Sequence, residues 1–427
     1  MRRSTSIYLI AAGVGVALVS SMAVLMVSRS AAAQPGPPCD GPTTPFCSST
    51  VPLPAGWTGR VFELSQNYPA AAASEPQPWL AHDPRTNPEA YIRSVLAYFY
   101  EGNLRPNVET SFDPKLNTVR QWYNAPWQDQ GTNGREPVHG LTRERTSRPG
   151  ELAAEQNLPW NNYAVGFYNA PGAAVIGKMW TDHGHPDPTA AASLPEGTIA
   201  AKLLFTTATA QQAPYLAGAP SWKVYIYGDP NDPNPKPTSP RAVVEVRLLQ
   251  IDIAVKDARV ASTTGWVFGT FVYGGGPGGA PGSGWSNVEP VGVMWGNDPG
   301  SLAGGPLKET WLNPAVHMPH VGFKGRLNGP VDNPSSSCLS CHATAESPGG
   351  QMIGPDPKRW FQNLPSGKPF DPGRQSMDYS LQLAVGLADF QQTQKIKSAP
   401  TPALRARFLQ ERLRQDARPP RDGGSLH

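Results

Sequence analysis

Five consecutive residues, Cys338-Leu339-Ser340-Cys341-His342, have the types and spacing of the C-x-x-C-H haem-attachment pattern. The spacing has a chemical reason. Two thiols three positions apart can add to the two vinyl groups on one porphyrin edge, while the adjacent imidazole reaches the iron beneath the ring. The pattern therefore predicts one covalently bound c-type haem per chain, held by Cys338 and Cys341, with His342 as the iron ligand. Two other readings of a C-x-x-C pair stand beside it. A zinc site needs a second ligand pair, and the remaining cysteines, Cys39 and Cys47, have the wrong spacing for one. A redox dithiol of the thioredoxin type opens a helix directly after a strand, whereas here Asn333-Pro334-Ser335-Ser336-Ser337 precedes the motif.

The sixth iron position decides what such a haem does. An electron-transfer cytochrome supplies a methionine some tens of residues after the motif, and Met377 is the residue at that distance; Met352 is too near for a chain that must round the ring. His317 and His320, or His183 and His185, are pairs without a neighbouring third ligand for a separate metal. The motif's late place in the chain favours an open or exchangeable sixth position, suited to binding or chemistry rather than electron relay.

The elements that must position this motif are read from 427 residues carrying 36 Lys+Arg, 33 Asp+Glu, 48 Pro and 12 Trp. A formal charge of +3 offers no excess of cations for a nucleic-acid backbone. A hydrophobic share of 39% is enough for a core, and the many prolines predict loops and turns. Arg2-Arg3, the apolar run Ile7–Val27 and Ala31-Ala32-Ala33 form a secretory signal over residues 1–33, or an uncleaved membrane anchor, because the run exceeds the usual length of about 7–15 residues. Either places the body of the protein in the periplasm. Residues 34–56 read as a Pro/Gly-rich linker whose Cys39 and Cys47 pair locally in an oxidising compartment.

Residues 57–157 read as an N-terminal extension with one clear helix, opened by Asn87-Pro88-Glu89, carried by Ile92, Val95, Leu96 and Phe99, and closed by Gly102. The Arg143-Glu144-Arg145 run in it reads as a solvated or salt-bridged surface. Strands are predicted at 163–168, 173–180, 198–206, 222–227, 242–255 and 266–273, from runs of Val, Ile, Tyr, Phe and Trp between Gly and Pro clusters. Residues 229–241 hold too many prolines for a central strand. The glycine-rich 274–284 reads as a flexible loop, and 285–337 as irregular, with Trp285, Trp295 and Trp311 as packing residues. Helices are predicted over 379–391 and 402–416, the second basic and amphipathic.

Strands first and C-x-x-C-H last is an order that resembles the cytochrome P-460 and cytochrome c-prime-beta family of small, predominantly β monohaem proteins. The likeness rests on Leu194-Pro195-Glu196-Gly197-Thr198-Ile199-Ala200-Ala201-Lys202, on Ile251-Asp252-Ile253-Ala254-Val255-Lys256-Asp257 followed by Gly265-Trp266-Val267-Phe268, and on Cys338–His342 itself. The resemblance implies that Lys202 falls where hydroxylamine-oxidising members bond a lysine to the porphyrin. It implies that Asp252 stands where they place a distal glutamate, here shorter by a methylene. Strand alternation puts Gln250, Asp252 and Ala254 on one mixed face, opposite the apolar Leu249, Ile251, Ile253 and Val255.

The expectation is an α+β fold: a predominantly antiparallel β haem domain over 158–350, an N-terminal helical and irregular extension, and a C-terminal helical tail over 351–427. Its function is that of an exported monohaem c-type cytochrome that oxidises hydroxylamine or binds nitric oxide, with Asp252 as proton acceptor and an external cytochrome taking or supplying electrons. The alternative is an electron-transfer cytochrome completed by Met377 or a histidine.

Overall fold

The computed structural model describes Ala55 and residues 64–416, apart from 73, 106–107, 129–140, 234, 236–238, 280–281 and 350–355. The expected signal or anchor, the linker apart from Ala55, and Cys39, Cys47 and Met352 lie outside the described residues. Among the described residues no helix is long and apolar enough to cross a membrane.

The fold is α+β, built on one eight-stranded antiparallel sheet. In chain order the elements are α1 (Pro88–Tyr100), β1 (Leu104–Arg105), β2 (Val108–Phe112), β3 (Leu141–Arg143), β4 (Asn162–Tyr168), α2 (Ala170–Met179), β5 (Ile199–Thr206) and β6 (Ser221–Tyr227). Then follow β7 (Arg241–Lys256), β8 (Trp266–Tyr273), β9 (Val288–Met294), β10 (Thr310–Leu312), α3 (Cys338–His342), β11 (Glu346–Ser347), α4 (Pro357–Trp360), β12 (Gln375–Ser376), α5 (Leu381–Lys397) and α6 (Pro402–Asp416). The main sheet runs β10-β9-β8-β7-β5-β4-β3, and β6 pairs with the first half of the long β7.

Both faces of the sheet are covered, which is why β4 and β8 are buried along their whole length rather than alternating. On one face lies α1, whose Tyr91, Ile92, Val95, Leu96, Tyr98 and Phe99 are buried. Ile92 occupies the space beside Gly269 of β8 that a side chain there would fill, and Phe99 meets Phe167 of β4 edge to face at 5.3 Å. On the other face, Phe268 of β8 meets His342 of α3, and Gln382 of α5 fills the space beside Gly166 of β4. The extension before residue 158 thus supplies one covering layer and the edge strand β3. The described residues all belong to one compact unit, with no break at 157/158 or 350/351.

Two segments differ from the sequence expectation. Residues 173–180, expected as a strand, lie mostly in α2: Pro171 presets the first turn, and Ala173, Ala174, Val175, Ile176 and Met179 are all buried. A short apolar run bounded by turn residues carries no period that separates a buried helix from a buried strand. Residues 285–337, expected as irregular, contain β9 and β10, which extend the sheet beyond β8. Trp285 and Trp295 are buried and Trp311 packs against the core.

Candidate functional site

The Cys338–His342 motif forms the single short helix α3, started by Ser337, whose hydroxyl accepts from the Ser340 N–H while the Ser340 hydroxyl accepts from the Ser337 N–H. Ser336, Ser337 and Ser340 are buried, so the serine run before the motif is a cap and not a solvated approach. Ser337 also donates to Asn297 Oδ1 at 2.8 Å, and Trp360 donates its indole N–H to the Ser340 carbonyl at 2.8 Å. The turn is therefore held from both sides, by the loop after β9 and by α4.

His342 Nδ1 lies 2.8 Å from the Tyr379 carbonyl. A carbonyl can only accept, so Nδ1 carries the proton and Nε2 is left with the lone pair, the tautomer a metal-ligating histidine requires. Phe268 packs against the imidazole at a centroid distance of 4.7 Å and 56°. Burial pushes the imidazole down to about 4, so it is neutral at pH 7. Cys338 and Cys341 are free thiols, half-buried. Burial raises Cys341 to about 11 and Cys338 well above its ordinary value, which keeps both protonated.

His342 lines a cavity of about 320 Å³ against the sheet. The register explains its shape. One rung of the sheet aligns Gly166, Lys202, Asp252, Thr270 and Gly292; the next aligns Tyr168, Ala200, Ala254 and Phe268. Residues directly opposite across antiparallel strands project to the same face, and the small Ala200 and Ala254 leave room beside the polar side chains, while Gln382 fills the space at Gly166 and Leu312 and Leu327 the space at Gly292. Trp266, Phe268, Leu194, Leu381 and Val385 make the apolar part of the wall; Lys202, Asp252, Glu144 and Arg143 make the polar part.

Lys202 and Asp252 are direct partners in this register, Nζ to Oδ2 3.1 Å, with side chains 27% and 21% exposed. Asp252 also accepts from Gln250 Nε2 at 2.7 and 2.9 Å and from the Thr270 hydroxyl at 2.9 Å. Thr270 Oγ1 lies 3.8 Å from Cys338 Sγ, which links the motif to the polar wall. Burial lowers the Lys202 ammonium, but Asp252, Glu144 and Asp332 outweigh it and hold the lysine above its ordinary value. Burial raises the Asp252 carboxyl, opposed by Lys202. The acceptor positions of the Asp252 carboxyl are filled by Lys202, Gln250 and Thr270.

Glu144 corrects the surface reading of the Arg143-Glu144-Arg145 run. Arg145 does pair with Glu151 at 3.0 Å, and Arg143 donates to Asn161 and to the Pro233 carbonyl. Glu144, however, lines the cavity, and among the described residues nothing hydrogen-bonds its carboxylate. Burial raises its carboxyl above the ordinary glutamate value. Glu144 shares that wall with Thr142 and Arg143, and nothing in the local sequence separates it from its arginine neighbours.

Other candidates lie elsewhere. Met377 is fully buried in the core and is not among the cavity-lining residues. His342 is the one histidine among those residues. His185 pairs with Asp182, and among the described residues no cluster of three or more His, Cys, Asp or Glu could hold a metal ion. Lys256, at the end of the Asp252 strand, is buried against Asp378.

The residues fit the implied haem in their chemistry: an imidazole whose Nδ1 is already engaged and which faces a partly apolar cavity, and two free thiols on the same turn, neither of them among the cavity-lining residues. Comparisons with protein-family models, with characterised proteins and with solved structures found no match to this chain.

Proposed function

We propose that the protein is an exported monohaem c-type cytochrome that oxidises a small nitrogen compound of the hydroxylamine class and passes the electrons to an external cytochrome. The observation that carries this reading is the convergence of His342, Lys202, Asp252 and Glu144 on one cavity, with the two motif thiols on the turn that bears His342. Cys338 and Cys341 would hold the haem and His342 would ligate its iron, which when bound supplies an electron sink and a position for the substrate nitrogen.

The chain's own groups divide the remaining work. Removing electrons from a hydroxylamine nitrogen releases protons, and a cavity with an unpartnered carboxylate can accept them. Asp252, filled by Lys202, Gln250 and Thr270, is better suited to fixing the charge and orientation of the polar wall. We therefore assign proton acceptance to Glu144 and the anchoring of Lys202 to Asp252. Lys202 is paired with Asp252 at 3.1 Å, so we assign it to charge balance rather than to a bond with the porphyrin. Nitric oxide binding without turnover needs no proton acceptor, and the Glu144 carboxylate favours the oxidative reading over it.

The test is direct. Protein exported with a haem-attachment system should keep one haem per chain through acid-acetone extraction, and its ferrous form should bind nitric oxide. Tryptic mapping should give the Lys202 peptide free of haem. Complete loss of haem on extraction overturns the reading.

A further inference from the structure

The Tyr379 carbonyl that holds His342 Nδ1 belongs to an unusual piece of backbone. Asp378 and Tyr379 both have positive φ, 44° and 68°, and neither is glycine. Left-handed backbone is unfavourable for residues with a side chain, and two in succession persist only where the surroundings hold them. The holding group is the Asp378 carboxylate, which is fully buried. It accepts from Lys256 Nζ at 2.8 Å, Leu194 N at 2.7 Å, Trp266 Nε1 at 3.2 Å, Ser366 Oγ at 2.6 Å and Gly367 N at 3.1 Å. Lys256, the cation of this group, is 5% exposed and also meets Ser366.

We propose that the buried Lys256–Asp378 pair is a positioning device for His342. It clamps the left-handed turn at Asp378–Tyr379 and so aims the Tyr379 carbonyl at the imidazole. The donors come from separate parts of the chain: Lys256 ends β7, Trp266 begins β8, and Ser366 and Gly367 lie in the loop after α4. The turn is thereby referenced to the sheet that forms the cavity wall, and not only to its own neighbours in sequence. Trp266 lines that cavity, so one indole contacts both the clamp and the site. A hydrogen bond from the far ring nitrogen fixes the orientation and raises the donor strength of a ligating histidine. Removing the anion frees the turn to relax toward ordinary φ values and withdraws the carbonyl. The pair thus acts on His342 through Tyr379. This rests on the haem reading, since it concerns the residue that reading makes the iron ligand.

The experiment compares Asp378→Asn, Lys256→Met and the milder Ser366→Ala with Asp257→Asn. Asp257 is another buried acid, bonded to Tyr91 and Arg259, and serves as the control for general destabilisation. All are made in the full exported protein, with Lys256→Arg as the conservative replacement. Three quantities are read: haem content, the midpoint reduction potential, and the nitrogen chemical shifts of the His342 ring in haem-free protein. The Asp378, Lys256 and Ser366 variants are expected to raise the potential, because a weaker proximal hydrogen bond makes a weaker donor. They should also shift His342 Nδ1 toward a mixture of tautomers. Lys256→Arg should restore part of both effects, and Asp257→Asn should lower the melting temperature alone. If the Asp378 and Ser366 variants only melt earlier, with the His342 shifts and the potential of the parent, the pair is merely structural and the proposal falls. If no variant and no parent protein carries haem, the haem reading fails, while the ring shifts of His342 still decide the positioning role. Should Asp378→Asn not fold, Ser366→Ala, which removes one of the five donors, decides between these outcomes.

Discussion

Lys202 and Asp252 stand opposite each other on β5 and β7, 50 positions apart in sequence and 3.1 Å apart at their charged ends. Separate duties for the two, one at a porphyrin edge and one above the iron, would require them to point at different places. Their pairing makes them one unit, and altering either leaves the other's charge uncompensated in a partly enclosed wall. Lys202→Met and Asp252→Asn should each cost about 1–3 kcal/mol, below the range for fully buried pairs because both side chains retain some exposure. The double variant should cost less than the sum of the two. A double-mutant cycle by urea denaturation checks this; strict additivity would mean that the pair carries no coupling.

Met377 packs in the core beneath the turn that carries Tyr379, its N–H bonded to the Ala345 carbonyl. Truncation to alanine removes buried volume without touching the cavity wall. Met377→Ala should therefore destabilise the protein by about 2–5 kcal/mol and leave the optical spectrum of the haem protein unchanged. Loss of sharp low-spin bands in that variant would restore the electron-transfer alternative.

The thiols give a prediction that needs no haem at all. Burial holds Cys341 at about 11 and Cys338 well above the ordinary thiol value, so in folded protein made without haem attachment neither is a thiolate at pH 7. Alkylation by iodoacetamide should run about 10²-fold slower than for an exposed cysteine and recover on unfolding. A redox dithiol of the C-x-x-C type needs the opposite, a thiol poised to ionise near neutrality. Fast labelling of Cys338 or Cys341 at pH 7 would favour that chemistry.

What is legible in the sequence, and what is not, follows from the range of the interactions involved. Cys338–His342 is a local pattern, and β7 and β8 carry long apolar runs rich in β-branched and aromatic residues, so motif and central strands can be read directly. The 173–180 segment reads as a strand because a short apolar run has no decisive period, and β9 and β10 escape notice because their strand character comes from pairing, β9 with β8 and β10 with β9. The rung that aligns Lys202, Asp252 and Thr270 depends on register between distant segments, and no local feature encodes that. Glu144 is hidden for the same reason: its neighbours in sequence are arginines, and only the placement of β3 at the sheet edge brings it to His342's cavity. The Tyr379 carbonyl is a backbone atom, and nothing in the side-chain sequence announces it.

Glu144 supplies the pH dependence. A proton acceptor works when ionised, so oxidation of hydroxylamine should rise with pH through the Glu144 pKa, at a pH above the ordinary carboxylate value. Glu144→Gln keeps size and polarity but cannot take the proton, and should slow turnover by about 10²–10⁴-fold and flatten that rise. Haem content should stay that of the parent protein. Stability gives an independent reading of the same group. Its carboxyl holds its proton longer in the folded chain than in the unfolded one, so its contribution is present below the unfolded value and fades as pH rises through the folded value. Glu144→Gln should remove this part of the pH dependence of unfolding, with greater stability than the parent above that window. Asp252→Asn, by contrast, should lower stability through the stranded Lys202 ammonium and leave the rising limb of the rate profile in place. A rate profile that loses its rise in Asp252→Asn and keeps it in Glu144→Gln would return the proton to Asp252.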